Sequence, residues 1–116
     1  MSDAEVLLQR IVEEAAGNGA DRIEFERVPD GLEISYFIGH AGRGRVLDDR
    51  KLEAALFRLV AERTRKRRTF EVDVGGRPVT MKCEWYESFM EDCFRLHFVK
   101  RKASADSGRK TRRRRT

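Results

Sequence analysis

The stretch "RIEFERVPDGLEISYFI", residues 22–38, decides the fold of this chain. In its first part Ile23 and Phe25 alternate with charged residues, which is the period-two pattern of a strand that buries one face. Pro29-Asp30-Gly31 supplies a turn, and a second apolar-rich run, "LEISYFI", follows it. The two runs predict an antiparallel β-hairpin.

A helix is predicted upstream of this hairpin. Ser2 and Glu5 have the spacing of a capping box. Apolar residues then recur at helical spacing, namely Val6, Leu7, Ile11, Val12, Ala15 and Ala16. Gly17-Asn18-Gly19 ends the pattern, as glycine commonly does at a helix C-terminus.

Downstream, the pattern changes to a second helix and then back to strands. Asp48 or Asp49 can cap this helix, whose apolar face comprises Leu52, Ala55, Leu56, Leu59 and Val60. The runs "TFEVDV", "RPVTMKCEWY" and "CFRLHFV" predict three strands, the first two joined by a tight turn at Gly75-Gly76. The order α-β-β-α-β-β-β predicts an α+β fold with one antiparallel sheet and two helices.

The charge is unevenly distributed along the 116 residues. From Lys100 onward the chain has nine Lys or Arg and one Asp, whereas residues 1–99 have sixteen basic and nineteen acidic residues. Residues 103–116 lack apolar periodicity, so we expect a disordered basic tail after one domain at residues 1–102. The domain itself is mildly acidic.

The location is predicted from what the sequence lacks, and the redox state from the distance between the two cysteines. It has no apolar run long enough for a membrane span, and its start does not have the layout of a secretion signal, so we expect a cytoplasmic protein. If the loop of the last predicted hairpin comprises Glu87 to Asp92, Tyr86 faces Cys93 and Cys83 faces Leu96. The two cysteines are then roughly 10 Å apart, too far for a disulfide. We expect reduced thiols in the core.

The glycine-rich segment "GHAGRGR", Gly39 to Arg45, raises the possibility of a phosphate-binding loop. It lacks the Lys-Ser/Thr end of a Walker loop, and it does not have the G-x-G-x-x-G spacing before a helix. The sequence favours a flexible turn. The alternative is an anion-binding loop that uses Arg43 and Arg45.

No catalytic or metal-binding motif is recognisable. Ser35 and Ser88 have no sequence context for activation, and His40 and His97 do not form a metal pattern with the cysteines. His97 is interpreted as a structural strand residue. We therefore expect a protein that is not an enzyme and has no cofactor.

Two basic segments are candidates for an anionic partner. The first, "RTRKRR" at Arg63 to Arg68, either complements the dipole of a helix end or grips phosphates, and its candidate residues are Arg65, Lys66, Arg67 and Arg68. The second lies in the tail and comprises Arg109, Lys110, Arg112, Arg113, Arg114 and Arg115. Such a tail can hold RNA, DNA, an anionic membrane or an acidic protein, or serve only as a solvated extension.

An apolar pair, Trp85-Tyr86, stands at the end of a predicted strand. Adjacent strand residues point to opposite faces of the sheet. One of the two is therefore expected in the core, and the other can serve a partner surface.

Roughly residues 5–100 resemble the small domain that precedes the motor in the ATPases of type II secretion and type IV pilus assembly. The family's "GASDIH" corresponds to Gly19 to Glu24, and its "RYRIDG" corresponds to Ser35 to His40. Its "DGREVDLRVSTLPT" corresponds to "GGRPVTMKCEWYES", Gly75 to Ser88. The resemblance implies a PAS-like α+β domain that couples motor movement to neighbouring subunits.

The departures from the family pattern fall where nucleotide contacts are expected. Ser35 and Phe37 stand at the positions of the two arginines of "RYRIDG", and Gly39 replaces its Asp. Lys82 replaces the arginine of "RVST", which keeps the charge but loses the planar fork. Without these arginines and a Walker loop, we expect neither tight ATP binding nor hydrolysis. The glycine-rich segment then replaces the family's "DG" turn as an altered strand-to-helix connection.

Three functions follow from these features. The resemblance implies a non-catalytic protein-interaction module, an adaptor to a secretion or pilus motor, with an oligomeric state that the sequence leaves open. The tail, helped by Arg63 to Arg68, favours nucleic-acid binding as the alternative. The PAS-like shape suggests a small-ligand sensor as a third function, for which no cofactor signature exists.

Overall fold

The computed structural model describes residues 1–88 and 90–99. Its elements are α1 (Asp3–Gly17), β1 (Arg22–Val28), β2 (Gly31–Ile38), β3 (Ala41–Leu47), α2 (Arg50–Lys66), β4 (Thr69–Val74), β5 (Arg77–Ser88) and β6 (Glu91–Phe98). The strands form one antiparallel sheet in the order β3-β2-β1-β6-β5-β4. The predicted α+β class with two helices and one antiparallel sheet is confirmed. The predicted tail, residues 103–116, lies outside the described residues.

Both helices begin at the predicted caps. The Ser2 hydroxyl accepts from the Glu5 amide at 3.2 Å, and the Glu5 carboxylate accepts from the Ser2 amide at 2.9 Å. Of the two candidate aspartates, Asp49 caps α2 by accepting from the Leu52 amide at 3.1 Å. Each cap satisfies amide groups that have no partner within the helix.

The core lies between the helices and one face of the sheet. Ile23 and Phe25 of β1 are fully buried, as their alternation predicts, beneath Ile11 of α1 and Leu56 of α2. We call this side the helix-covered face. The other side, which carries Glu24 of β1, has no helix over it among the described residues, and we call it the open face.

Helix α2 connects the two edge strands, β3 and β4, which stand at opposite ends of the sheet. Six strands about 4.8 Å apart give a sheet width of about 24 Å. A helix rises 1.5 Å per residue, so the 17 residues of α2 reach about 25 Å. One helix is therefore long enough to return the chain across the whole sheet.

The glycine-rich segment is a strand, and its interpretation as a flexible turn or a strand-to-helix connection is wrong. Only Gly39 and His40 form the turn, with Gly39 at φ 60°, and β3 then pairs with β2 from Ala41 to Leu47. A Cβ at Gly42 would lie 2.5 Å from a carbon of the Phe37 ring. The side chains of β2 thus fill the space that a glycine leaves, which makes glycine fit this strand despite its low strand propensity.

Both cysteines are free, as predicted, but only Cys83 belongs to the core between helices and sheet, since Cys93 lies on the open face, and the last hairpin is tighter than expected. Tyr86 pairs with Cys93 and Cys83 with Leu96, and both cysteines are free and buried. The predicted loop over Glu87 to Asp92 is shorter, because pairing continues to Ser88 and Glu91. Burial raises the pKa of both thiols, which disfavours the reactive thiolate.

Candidate functional site

The open face carries a closed network of charges at the centre of the sheet. The Glu24 carboxylate accepts from Arg22 at 3.1 Å, from Arg95 at 3.0 Å and from the Tyr86 hydroxyl at 3.3 Å. Arg95 also donates to Glu84 at 3.0 Å. Two guanidinium groups thus face two carboxylates, and each charge has a partner. The arrangement joins three strands and leaves no charge free for a substrate.

The pKa values of Tyr86 and Glu84 are shifted in the directions that this pairing predicts. Burial, with the Glu24 charge, raises the pKa of Tyr86 to about 12, so the hydroxyl stays protonated. Hydrogen bonds from His97 and Arg95 hold the pKa of Glu84 below its ordinary value. His97 lies 3.4 Å from Glu84 and belongs to this network, in agreement with a structural role.

The predicted nucleotide contacts are not brought together. Lys82 lies on the open face of β5, where it pairs with Thr69 and His97 in register. Arg43 and Arg45 lie on the helix-covered side of β3, opposite Tyr36 and Ile34. Four strand spacings separate β3 from β5, a distance of about 19 Å. These three cations therefore do not form one anion site.

The outer border of β3, which we call the β3 edge, is uncovered in the part of the chain that the structure describes. The strand stands at one end of the sheet, and its residues 41–46 are exposed. The pair Ile38–Ala41 flanks a two-residue turn and is therefore hydrogen-bonded, and such pairs alternate along a hairpin. It follows that Gly42, Gly44 and Val46 point their N–H and C=O groups away from the sheet.

Two basic side chains flank this edge on the helix-covered side. Arg45 lies 3.4 Å from Glu14 of α1, and its side chain is still 58% exposed. Glu14 also accepts from the Tyr36 hydroxyl at 2.6 Å, and burial together with that contact raises the pKa of Tyr36. Arg43 has no ion pair within residues 1–88 and 90–99. The β3 edge thus combines free backbone groups with positive charge.

The edge at the other end of the sheet, formed by β4, is different. By the same alternation, counted from the pair Val74–Arg77, the residues with outward backbone groups include Glu71 and Asp73. The side chain of Gln9 donates to the Asp73 carbonyl at 3.1 Å and so occupies one of those groups. The β4 edge is acidic and partly closed.

A second basic surface lies along α2, and we call it the α2 groove. Arg65 and Lys66 line it with Arg58 and with Arg27 of β1, around a space of about 490 Å³. The rest of its lining is apolar, from Ala54, Phe57 and Ala61, except for one acid, Glu62. The Arg27 guanidinium lies 4.4 Å from the centre of the Phe57 ring, so part of this charge is held over an aromatic face.

The other cations of the "RTRKRR" segment have separate surroundings. Arg63 contacts Glu5 at 3.6 Å and lies over the Phe70 ring, while Arg67 and Arg68 are exposed beyond the helix. The structure thus places only Arg65 and Lys66 in the α2 groove. The tail candidates, Arg109, Lys110 and Arg112 to Arg115, lie outside the described residues.

The pair Trp85-Tyr86 agrees only in part with its prediction. Trp85 and Tyr86 lie on opposite faces, as predicted, but neither is a core residue. Trp85 is 56% exposed, and its indole N–H donates to Asp92 at 3.0 Å. Tyr86 is held in the open-face network. Within the described residues, no group of three or more His, Cys, Asp or Glu side chains is placed to hold a metal ion.

Neither described helix is long and apolar enough to cross a membrane. The comparisons with known proteins found no family model and no curated protein that matches the chain. The resemblance to the secretion and pilus ATPases therefore stays a prediction. The structure adds one observation to it, since the three positions that replace the family's arginines, Ser35, Phe37 and Lys82, all lie on the open face.

Proposed function

We propose that this chain is a non-catalytic protein-interaction module that acts as an adaptor to the motor of a secretion or pilus machine. The observation that carries the proposal is the uncovered β3 edge. A free edge offers a row of backbone donors and acceptors to a strand of another protein, which is an established mode of protein binding. Because the binding groups belong to the backbone, this mode needs no catalytic residues or cofactor.

The contrast between the edges supports this proposal. Proteins usually blunt free edges with charged side chains, bulges or covering segments, since an open edge promotes aggregation. The β4 edge has such protection in Glu71, Asp73 and Gln9. The β3 edge has two glycines at the outward positions, so at these positions the strand has no side chain of its own to block a partner strand. A protein that protects one edge and leaves the other accessible has an edge available for a partner.

The link to a motor rests on the resemblance of residues 5–100 to the domain that precedes it. The nucleotide-contacting arginines of that family are replaced by Ser35 and Phe37, so contact with protein is the property that the resemblance leaves. The sheet with helices on one face is compatible with the PAS-like fold that the resemblance implies.

The test is a binding measurement with purified motors. The full chain is titrated into the RecA-like core of a type II secretion ATPase and of a type IV pilus ATPase, each without its own N-terminal domain. We expect a saturable complex in sedimentation velocity with at least one of them and none with an unrelated RecA-like ATPase. Absence of any complex up to about 100 µM, which corresponds to weak binding, would contradict the adaptor function.

Nucleic-acid binding is the second candidate, and the α2 groove favours it. Its four cations lie along one surface, with one acid, Glu62, among them, and the tail at residues 103–116 adds six basic residues. Each phosphate contact should contribute about −0.9 to the log–log salt slope. Fluorescence anisotropy with unrelated DNA and RNA oligomers tests this, comparing the full chain with a chain that ends at Lys102 and with Arg58→Glu. Selective binding by the shorter chain, lost in Arg58→Glu, would favour this function over the adaptor.

A further inference from the structure

We propose that the β3 edge binds an extended acidic segment of a partner protein, in which carboxylates alternate with β-branched or aromatic residues. This inference rests on the proposed interaction function and specifies the chemistry of the partner. It follows from the two faces of β3, since Arg43 and Arg45 lie on one and Gly42 and Gly44 on the other.

The backbone of β3 determines how the segment lies. Gly42, Gly44 and Val46 direct their N–H and C=O groups outward, so an antiparallel strand can form hydrogen-bonded pairs with each of them. The glycines have no side chains of their own, and the side chains beside them, Phe37 and Ser35, come from β2 on the inner side of the strand. The added strand becomes the seventh of the sheet, next to β3 in the observed order.

The arginines determine the charge of the segment. Partner residues opposite Arg43 and Arg45 stand in non-hydrogen-bonded pairs, in which Cα atoms are about 4.5 Å apart and side chains are close. A carboxylate there can accept a bidentate hydrogen bond from a guanidinium. Arg43 has no carboxylate partner within the described residues, so this charge is available. The spacing of the arginines requires acids at every second residue of the partner.

The glycines determine the intervening residues. Partner side chains opposite Gly42 and Gly44 lie on the open face, where β3 itself has no side chain. The Phe37 ring leans over Gly42, as the short distance to a Cβ there shows. A β-branched or aromatic side chain that covers a strand glycine stabilises a sheet. These positions therefore favour valine, isoleucine or an aromatic residue.

A second copy of this chain is a poorer occupant of the same edge. If two β3 strands paired antiparallel with each other, arginine side chains would face arginine side chains on the helix-covered side. Like charges directly opposite each other destabilise a strand pair. An acidic segment reverses the sign of that interaction.

The experiment uses the full chain and a fluorescein-labelled peptide of about eight residues in which Glu and Val alternate. The matched peptides carry Gln or Lys in place of Glu. We expect anisotropy to show saturable binding of the Glu peptide, at least tenfold weaker binding of the Gln peptide, and none of the Lys peptide. Arg43→Glu should weaken binding of the Glu peptide by at least tenfold, and addition of salt should weaken it in the wild type.

The matched variants separate the two edges. Val46→Pro removes an outward N–H of β3 without removing a bond to β2, and Glu71→Pro does the same on β4. We expect the first to abolish peptide binding and the second to leave it unchanged. A measurement on the wild-type chain does not depend on how the variants fold, since the peptide should slow hydrogen exchange of the Gly42 and Gly44 amides.

Three outcomes would overturn the inference: equal binding of the Glu and Gln peptides, unchanged exchange at Gly42 and Gly44, or a dimer in sedimentation equilibrium that Val46→Pro dissociates. The motor-core titration distinguishes this inference from the adaptor function. If the core binds wild type and Val46→Pro equally, the adaptor stands and the β3 site fails. If the peptide protects β3 but no core binds, the β3 site stands and the adaptor fails.

Discussion

The two edges of the sheet differ although both belong to hairpins with two-residue turns. At β4 the outward positions carry Glu71 and Asp73, and Gln9 occupies the Asp73 carbonyl. At β3 the outward positions carry Gly42 and Gly44, and the arginines point to the other face. The comparison shows that the accessibility of an edge depends on the side chains of the residues whose backbone groups point outward. It does not depend on the length of the strand.

The same comparison separates charge from backbone access. The β4 edge repels acidic chains and is partly closed, whereas the β3 edge attracts them and is open. Interaction strength at an edge comes from main-chain hydrogen bonds, and selectivity comes from the side chains beside them.

The largest effect is expected for Gly31→Ala, at the end of β2 where it approaches β3. Gly31 has φ 151°, and a Cβ there would overlap the Leu47 carbonyl oxygen of β3. We expect a loss of about 3 kcal/mol in the free energy of unfolding, from strain and overlap together. The control is Gly75→Ala in the turn next to β4, where φ is 58° and no atom lies within 4 Å. Strain alone should cost about 1 kcal/mol there. If urea unfolding showed the same loss of unfolding free energy for Gly31→Ala and Gly75→Ala, the close approach of Gly31 to β3 would be contradicted.

A smaller effect is expected for Gly42→Ala within β3. The new Cβ would lie 2.5 Å from the Phe37 ring, which must shift and disturb its contact with Arg22, whose guanidinium lies 4.3 Å from the ring centre. We expect about 1–2 kcal/mol of destabilisation. In Gly44→Ala the one close contact would be with the Ser35 hydroxyl, at 2.7 Å, which can rotate away, while oxygens of Glu33 and Ile34 lie at an ordinary 3.5 Å. In thermal unfolding, the melting temperature of Gly42→Ala should therefore be lower than that of Gly44→Ala. The reverse order would contradict the packing of Phe37 on β3.

How far the sequence predicts this molecule depends on whether a side-chain pattern reports local structure. The β1–β2 hairpin could be predicted because Ile23 and Phe25 alternate with charges in the pattern of a half-buried strand. Strand β3 could not, because its period-two pattern alternates glycine with arginine instead of polar with apolar residues. The alternation in "AGRGRVL" has the period of a strand, but glycine is rare in strands and common in turns, so the segment is predicted as a turn.

The candidate sites depend on strand order, which no local pattern contains. Only the order of the strands shows that Lys82 and the two arginines of β3 are about four strands apart and cannot share an anion site. Arg27 could not be assigned to the α2 groove, because its neighbours Phe57 and Arg58 come from a distant helix. The status of β3 as an edge also follows only from the pairing of β1 with β6.

Alkaline pH should weaken the network at the centre of the sheet. Burial and the charge of Glu24 raise the pKa of Tyr86 to about 12, above the unfolded value of 10. The stabilising contribution is therefore present in full below pH 10 and is lost as the pH rises through 12. Absorbance at 295 nm should show delayed ionisation in the folded protein, and urea unfolding should show falling stability over this window. Ionisation of both tyrosines near pH 10 would contradict the network around Glu24.

The smallest effect is expected for Gln9→Ala, which frees the Asp73 carbonyl at the β4 edge. A single exposed hydrogen bond from a side-chain amide contributes about 0.5–1 kcal/mol, so unfolding should show a loss of that size or less. Gln9→Glu is the informative companion, because its carboxylate keeps the length of the side chain but cannot donate. We expect both variants to remain unable to bind the Glu–Val peptide at β4, since Glu71 and Asp73 still repel it. Chemical-shift mapping with the peptide decides between the edges. If freeing one carbonyl made β4 bind as β3 does, backbone access alone would control binding, and the arginines of β3 would have no part in selecting the partner.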